Sequence, residues 1–393
     1  MQIPQIILKP GKEQSPKRFH PWIFSGAIKK IIGEVKSGDL VEVYSNQNEF
    51  LGTGHYQDGS IAVRIISFNQ TEINAGFWEE KIYAALELRN QLNLTDNSHT
   101  TIYRLINAEG DGLPGLIIDF YNGTAVLQAH SLGMNNCKNE ITKALQKVYG
   151  EKLKAVYDKS AESLHHKELN IQNGYLYGNS ESTEALENGL KFHINYIEGQ
   201  KTGFFIDQRE NRKLLAQYAK DKTVLNTFCY SGGFSIYALQ AGAKKVCSVD
   251  SSKKAIEWTD KNVTLNGFST EQHSYEVADV MQYLKKINDQ YDVIVLDPPA
   301  FAKHVEARHN AVQGYKRLNA EALKQIKKGG ILFTFSCSQV VTRSLFTGAV
   351  LAAAIEAGRT VKIIHHLSQP ADHPNNIFHP EGEYLKGLVL YVE

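Results

Sequence analysis

The chain has 393 residues, 42% of them apolar and 22% charged, and a formal net charge of +1. Such values suit a soluble globular protein of roughly two or three domains. They exclude a global positive field as the means of holding nucleic acid, so any such contact must use local basic patches. No apolar run approaches the ~20 residues of a membrane helix, and the opening MQIPQIILKPGKEQSPKRFHPW lacks the apolar core and cleavage pattern of a secretion signal. Cys137, Cys229, Cys247 and Cys337 are widely spaced and form no CxxC pair. That speaks against a metal cluster or a disulfide framework and for the reducing cytoplasm.

Residues 1 to 70 read as short strands between glycine turns: Ile6–Leu8, Leu40–Tyr44, Phe50–His55 and Ile61–Ile66, which predicts a small β-barrel. Lys9, Lys12, Lys17, Arg18, His20 and Trp22 put basic residues beside an aromatic on its edge. That mixture holds phosphates and stacks a base, or is simply a solvated charged face. Residues 71 to 182 differ. A helical pattern runs to about Leu94, strands follow at Tyr103–Ile106, Leu116–Phe120 and Ala125–His130, then a helix at Asn135–Tyr149 and a strand at Ala155–Asp158, a compact α+β module. Glu109 and Asp111 in EGDGLPG read as turn residues rather than catalysts. Ser160–Glu184 is polar and irregular, a linker or lip.

Residues 183 to 393 form the third segment. Leu190–Tyr196 alternates as an edge strand, and Gly199 and Gly203 then frame Gln200, Lys201 and Thr202. Asp207 stands just ahead of a helix bearing Gln208, Arg209 and Arg212, either as a cap or as part of a lid over a small molecule. Thr223–Phe228 is a buried strand, Tyr230-Ser231-Gly232-Gly233 a glycine turn, and Phe234–Gly242 a helix. Val246–Val249 is a second strand ending in Asp250. A glycine turn at the carboxyl end of a parallel strand is where open α/β sheets bind nucleotides, and Asp250 can accept both hydroxyls of a ribose. GxGxxG is absent, so NAD is not favoured.

Beyond Asp250 come a helix, Ser251–Leu265, and a strand near Ser274–Val277 leading to Asp279, which either meets an adenine amino group or caps a helix. Tyr291–Leu296 ends in Asp297-Pro298-Pro299-Ala300-Phe301, whose prolines rigidify a carboxylate at the sheet's edge. Ala302–Gln313 reads as a basic loop, with Gly314 to Arg317, Lys316 among them, opening the next helix. Ile331–Phe335 ends in Ser336-Cys337-Ser338. Cysteines are commonly inert core residues, but a thiol at that strand end lies on the edge that holds Asp297. His373 lies in a His/Pro-rich loop, and Leu388–Val392 suits an antiparallel edge strand.

The glycine turn, Asp250, Asp279 and Asp297 follow one another as successive strand ends in the order of an S-adenosylmethionine pocket. With HPWIFSGAI, RLINAEGDGLPGLIIDF, GQKTGFFIDQRENR, VLNTFCYSGGFS, VIVLDPPAF, GGILFTFSCS, ADHP and PEGEYLKG, the sequence resembles the PUA-domain-containing ribosomal RNA large-subunit cytosine methyltransferases of the RlmI type. The resemblance covers the whole chain. It implies a multidomain α/β protein: an N-terminal PUA-like RNA-binding β-barrel, a central α+β domain and a C-terminal Rossmann-like class I methyltransferase.

It further implies S-adenosyl-L-methionine held by Gln200, Lys201, Thr202, Asp207, Gln208, Tyr230, Ser231, Gly232, Gly233, Asp250, Asp279 and Asp297, with Cys337 and Asp297 as the catalytic pair. The expected RNA contacts are Lys9, Lys12, Arg18, His20, Trp22, Lys316 and His373. The partner would be large-subunit ribosomal RNA, with no metal and no membrane; the oligomeric state stays open, a homodimer included. A partly ionised thiol needs a nearby positive charge, for which Lys201, Lys316 or the sulfonium is expected. Two departures stand out. Ala300 replaces the lysine that relatives usually carry after Asp-Pro-Pro, and no second cysteine sits beside that motif. Two other readings remain: methylation of a base nitrogen, which needs no cysteine, and a ribosome assembly factor without turnover.

Overall fold

The computed structural model describes residues 3–164, 171–180 and 183–393. The chain divides into two compact units, one of residues 1–186, 194–206 and 371–382, the other of 187–193, 207–370 and 383–393.

The first unit opens with β1 (Gln5–Leu8), a short helix α1 (Gln14–Lys17), β2 (Trp22–Phe24), β3 (Ile28–Ile32), β4 (Leu40–Tyr44), β5 (Phe50–Tyr56) and β6 (Ile61–Ser67). They form one sheet in the order β2-β6-β5-β4-β1-β3, packed around Ile6, Leu8, Val41, Val43 and Val63. The alternation of Leu40–Tyr44 sets its register: Val41 and Val43 point in and their neighbours out. β2 and β3 are not legible in the sequence. IKKII does not alternate and most of its side chains are exposed, because it lies on the rim.

The same unit continues with α2 (Ala75–Gln91), whose first turn is capped by Asn74 accepting from the Phe77 N–H. Strands β7 (Ile102–Asn107), β8 (Leu116–Tyr121) and β9 (Thr124–Ala129) follow, then α3 (Leu132–Asn136), α4 (Lys138–Tyr149), β10 (Ala155–Asp158) and β11 (Gly174–Gly178). The sheet order is β11-β10-β9-β8-β7. Phe77, Trp78 and Ile82 of α2 and Ile141 and Leu145 of α4 share one apolar core with it. The polar stretch Ser160–Glu184 therefore holds a strand, β11, and the start of another; residues 165–170 and 181–182 of it lie outside the described residues.

Asp111 is structural, as its turn position suggested. Arg89 is fully buried and grips both its oxygens, Nη1 to Oδ1 at 2.5 Å and Nη2 to Oδ2 at 2.8 Å, while donating to the Arg104 and Asp372 carbonyls. Gly110 passes so near the Pro374 carbonyl that a Cβ would lie 1.9 Å from its oxygen. The EGDGLPG turn and the ADHP loop are thus one packed feature.

A hairpin of β12 (Thr183–Glu187) and β13 (Leu190–Ile194) carries the chain across the division between the units. The second unit then runs through α5 (Arg209–Ala219), β14 (Thr223–Thr227), α6 (Gly233–Gln240), β15 (Lys245–Asp250), α7 (Lys253–Leu265), β16 (His273–Val277) and α8 (Val280–Leu284). It ends with β17 (Val293–Leu296), α9 (Arg308–Gln325), β18 (Gly330–Ser336), α10 (Arg343–Ala357), β19 (Val361–Leu367) and β20 (Lys386–Val392). Its seven strands stand in the order β16-β15-β14-β17-β18-β20-β19. β14 to β18 are parallel, and β20 is antiparallel to both β18 and β19. Such strands, buried on both faces, read as continuous apolar runs, as Val293–Leu296 does.

Two expectations need correction. The last strand is not the edge: β20 inserts between β18 and β19, which is why LVLYV is apolar throughout while β19 leaves Ile363 and Ile364 exposed. The helix expected to open at Gly314 begins at Arg308. Gly314 is there for close packing: a Cβ would lie 2.9 Å from the Phe301 ring. Among the described residues no helix is long and apolar enough to cross a membrane.

Candidate active site

In the second unit the carboxyl ends of β14, β15, β17 and β18 lie side by side along one sheet edge. After β14 the backbone turns sharply, with Phe228, Tyr230 and Gly232 all at positive φ. Gly232, at φ 79°, is the position where a side chain fails, since a Cβ would sit 2.7 Å from Thr259 Cγ2. From α7, the Thr259 hydroxyl donates to the Tyr230 carbonyl at 2.9 Å and Asn262 Nδ2 donates to the Ser231 carbonyl at 2.9 Å. The turn's conformation is thereby imposed before any ligand arrives.

Asp250 accepts the Tyr230 N–H on Oδ2 (3.1 Å) and the Ser252 N–H on Oδ1 (2.9 Å). A carboxylate has about four lone-pair directions, so room for a diol remains. Asp279 caps α8 by accepting from the Gln282 N–H at 2.9 Å, and it is exposed.

The acidic centre lies at Asp207 and Asp297. Asp207 Oδ2 accepts from the Tyr384 hydroxyl at 2.8 Å, while Oδ1 is buried without a hydrogen-bond partner among the described residues. Asp297 keeps part of its surface open but is densely surrounded. Burial and the Asp207 charge push its carboxyl up to about 7, against the opposing pull of the Gln208 hydrogen bond and the Arg212 charge. A carboxyl so placed is half protonated near neutrality and can donate a hydrogen bond as well as accept one. Gln208 is itself fixed, accepting from Asn211 Nδ2 at 2.6 Å.

Cys337, immediately after β18, is half-buried, and its Sγ lies 3.9 Å from the Pro298 carbonyl oxygen. The thiol and the Asp-Pro-Pro corner therefore meet, as their strand-end positions led one to expect. Phe301 stays 37% exposed while one side of its ring packs on Tyr315, with ring centroids 4.6 Å apart. Lys316 is not at the thiol; it forms a surface pair with Glu356 at 3.0 Å. The sequence reading missed Lys386 of β20, which is 3% exposed and donates to the Ser338 carbonyl at 2.7 Å. Its signal was a lone lysine at the head of an apolar strand.

Gln200, Lys201 and Thr202 belong to the first unit. Gln200 and Lys201 are exposed, the latter at φ 53°. The Thr202 hydroxyl is committed locally, donating to Asp119 Oδ2 at 2.5 Å and meeting the Tyr121 hydroxyl at 2.9 Å.

The expected RNA-facing residues also lie in the first unit, Lys316 apart. Lys12, Trp22, Phe24 and Ala27 line a cavity of about 290 Å³ on the barrel. Lys9 donates to the Gly26 carbonyl at 2.9 Å, Lys17 pairs with Glu49, and Arg18 is exposed. The Trp22 Nε1–H is fixed on Glu109 Oε1 at 2.9 Å. His373 is the exception. It is 1% exposed, beside Asp372, so it has no surface to offer RNA.

His20, His379 and Glu381 bring their ligand-type atoms within 4.8 Å of one another. The Trp22 N–H donates to His20 Nδ1 at 3.2 Å, so the ring proton sits on Nε2, facing Glu381. That tautomer has no lone pair there for a metal.

This sheet order, with a glycine turn and carboxylates at its strand ends, defines the class of S-adenosylmethionine-dependent methyltransferases, and residues 155–383 match that family. Residues 6–68 match the PUA-like domain. The chain is 40% identical over 395 residues to "Ribosomal RNA large subunit methyltransferase I" of Alteromonas mediterranea, covering 99% of this chain and 98% of that one. It is 42% identical to the protein of the same description from Pseudoalteromonas atlantica, covering 99% of each. A solved methyltransferase structure complexed with SAH superposes with a TM-score of 0.85 at 25% identity, over 99% of this chain and 100% of that chain. The chain belongs to the family of these ribosomal RNA large subunit methyltransferases, S-adenosylmethionine-dependent enzymes with an N-terminal PUA-like domain.

Proposed function

We propose that the protein methylates carbon 5 of a cytosine in large-subunit ribosomal RNA, in the cytoplasm, through a Cys337 thiolate adduct. The observation that carries this reading is the half-buried Cys337 thiol beside the Asp297-Pro298 corner. A nitrogen nucleophile would need no thiol there.

The residues present fit the cofactor. The buried Asp207 Oδ1 lacks a partner among the described residues, and Asp250 retains acceptor capacity beside the preformed glycine turn. Tyr230 to Gly233 would take its amino-acid end, Asp250 its ribose and Asp279 its adenine edge. S-adenosyl-L-methionine, when bound, supplies the electrophilic sulfonium methyl that carbon 5 accepts. Carbon 5 of cytosine is a poor nucleophile, so the Cys337 thiolate first adds at carbon 6 and makes the ring enamine-like. Asp297, as the acid, donates to ring nitrogen 3 and draws off the charge that develops there. After a base takes the carbon 5 proton, the thiolate leaves. The target base must quit its stack to reach the thiol, and the barrel's Lys12, Arg18, Trp22 and Phe24 would supply RNA contacts of their own.

The test is a covalent trap. Ribosomal RNA carrying 5-fluorocytidine is incubated with S-adenosylmethionine and either the wild type or Cys337→Ala. Fluorine at carbon 5 blocks the final elimination, so a stable protein–RNA adduct is expected with the wild type alone. Methylation of ordinary RNA by both proteins, with no adduct, would overturn the cytosine reading in favour of nitrogen methylation.

A further inference from the structure

We propose that Lys386 is a positioning residue for the reaction: its ammonium holds the Cys337 sulfur in the thiolate form and so supplies the charge that the Asp-Pro-Pro motif lacks. The role of Cys337 as nucleophile comes from the reading above; the effect of Lys386 on that sulfur is the new claim.

The geometry begins with the sheet. β20 runs antiparallel to β18, and Lys386 is paired with Ser336, the residue before Cys337. The lysine is 3% exposed. Its Nζ donates to the Ser338 carbonyl at 2.7 Å and to the Tyr384 carbonyl at 2.7 Å. One of these is the residue immediately after Cys337, so the ammonium is tethered to the segment that carries the thiol. An ammonium has three donors, and two carbonyls account for two of them. Among the described residues no carboxylate pairs with it.

A buried, unpaired ammonium is costly, and such groups persist where a charge is needed. The surrounding charges leave the thiolate as its counterpart. Glu383 lies nearby but is occupied by Arg343, Nη2 to Oε1 at 2.8 Å. Tyr315 reaches in from α9 with its hydroxyl on Ser338 Oγ and is itself neutral, burial pushing its titration up. Asp297, from the end of β17, is pushed up to about 7 and adds little negative charge below neutrality. Burial draws Lys386 down to about 8, and the Cys337 charge is the largest influence that holds it up. The coupling is reciprocal, so the ammonium must favour the thiolate in turn. Asp297 to Ala302 includes no cationic residue, which leaves the corner without a cation of its own. The step is a simple ionisation: the thiol's S–H bond breaks, its electron pair stays on sulfur, and the proton passes to water on the thiol's open side. Lys386 keeps its three protons throughout.

The experiment is alkylation of Cys337 by iodoacetamide as a function of pH, read by mass at the Cys337 peptide, with no RNA or cofactor present. In the wild type the midpoint is expected below the ~8.5 of a free thiol. Lys386→Gln is expected to raise it by about one unit or more, slowing alkylation at pH 7 about tenfold, while Lys386→Arg keeps the wild-type midpoint. A wild-type midpoint at or above ~8.5 would overturn the proposal with no variant needed, as would an unchanged midpoint in folded Lys386→Gln. A depressed, lysine-dependent midpoint with no fluorocytidine adduct would sink the cytosine reading alone and leave the lysine's effect standing.

Discussion

Arg212 and Glu187 form a doubly hydrogen-bonded ion pair with both side chains buried, Nε to Oε1 at 2.8 Å and Nη2 to Oε2 at 2.6 Å. Tyr237 adds a third bond to the same carboxylate at 3.0 Å. The pair sits beneath the glycine turn: a Cβ on Gly233 would lie 2.9 Å from Arg212 Cδ. Glu187 of the hairpin, α5 and α6 are thus joined beneath the glycine turn by charges with no access to water.

Removing one partner strands the other. Arg212→Ala should destabilise the second unit by about 3–5 kcal/mol, measured by urea unfolding. Arg212→Met combined with Glu187→Leu should recover most of that loss, since burial without charge carries no desolvation cost. A double variant no better than the single would show that the pair's geometry, not its charge, matters.

Asp297 makes stability depend on pH in a defined direction. An unfolded aspartate titrates near ~3.9, whereas the folded carboxyl is pushed up to about 7 by burial and the Asp207 charge. Between those values the folded state binds the extra proton, so stability falls as pH rises through this window and levels off above it. Asp297→Asn removes the effect. Its stability relative to the wild type should grow by on the order of 1–4 kcal/mol from pH 4 to pH 8, while methyl transfer is lost. Parallel pH profiles for the two proteins would disprove the shift.

The proposed cofactor role of the glycine turn makes the conformation at Gly232 testable. Gly232→Ala forces a side chain into φ 79° and against Thr259, a cost of about 1–2 kcal/mol from the backbone alone. Calorimetric titration with S-adenosylmethionine should show affinity lower by about tenfold or more. Gly242, also at positive φ but with open space around it, is the control: Gly242→Ala should leave cofactor affinity unchanged.

On the barrel, Phe24 is 45% exposed beside the cavity that Lys12 lines. Phe24→Ala should weaken RNA binding by about 1–3 kcal/mol with little change in melting temperature. Lys12→Ala should lower the dependence of log affinity on log salt by about one. Unaltered affinity in both would move the RNA-binding face elsewhere.

The alternating and apolar runs that set the sheets were readable because burial imposes them locally: Leu40–Tyr44 and Val293–Leu296 carry their own pattern. So were the strand-end residues Asp250, Asp279, Asp297 and Cys337, since a parallel sheet brings consecutive strand ends to one edge whatever lies between. What reading along the chain could not reach were pairings between distant segments. Nothing local tells that β20 inserts between β18 and β19, that Lys386 comes to lie beside Cys337, or that Lys316 turns to Glu356 instead. His373 looked like a surface loop residue and is buried, because Arg89 and Arg104 take up the neighbouring Asp372. The sequence by itself determined most of the elements, their order and which residues end the parallel strands, all of which depend on nearby residues. The tertiary structure alone decided which charges meet, because a buried charge takes its partner from whichever segment packing delivers, at any distance along the chain.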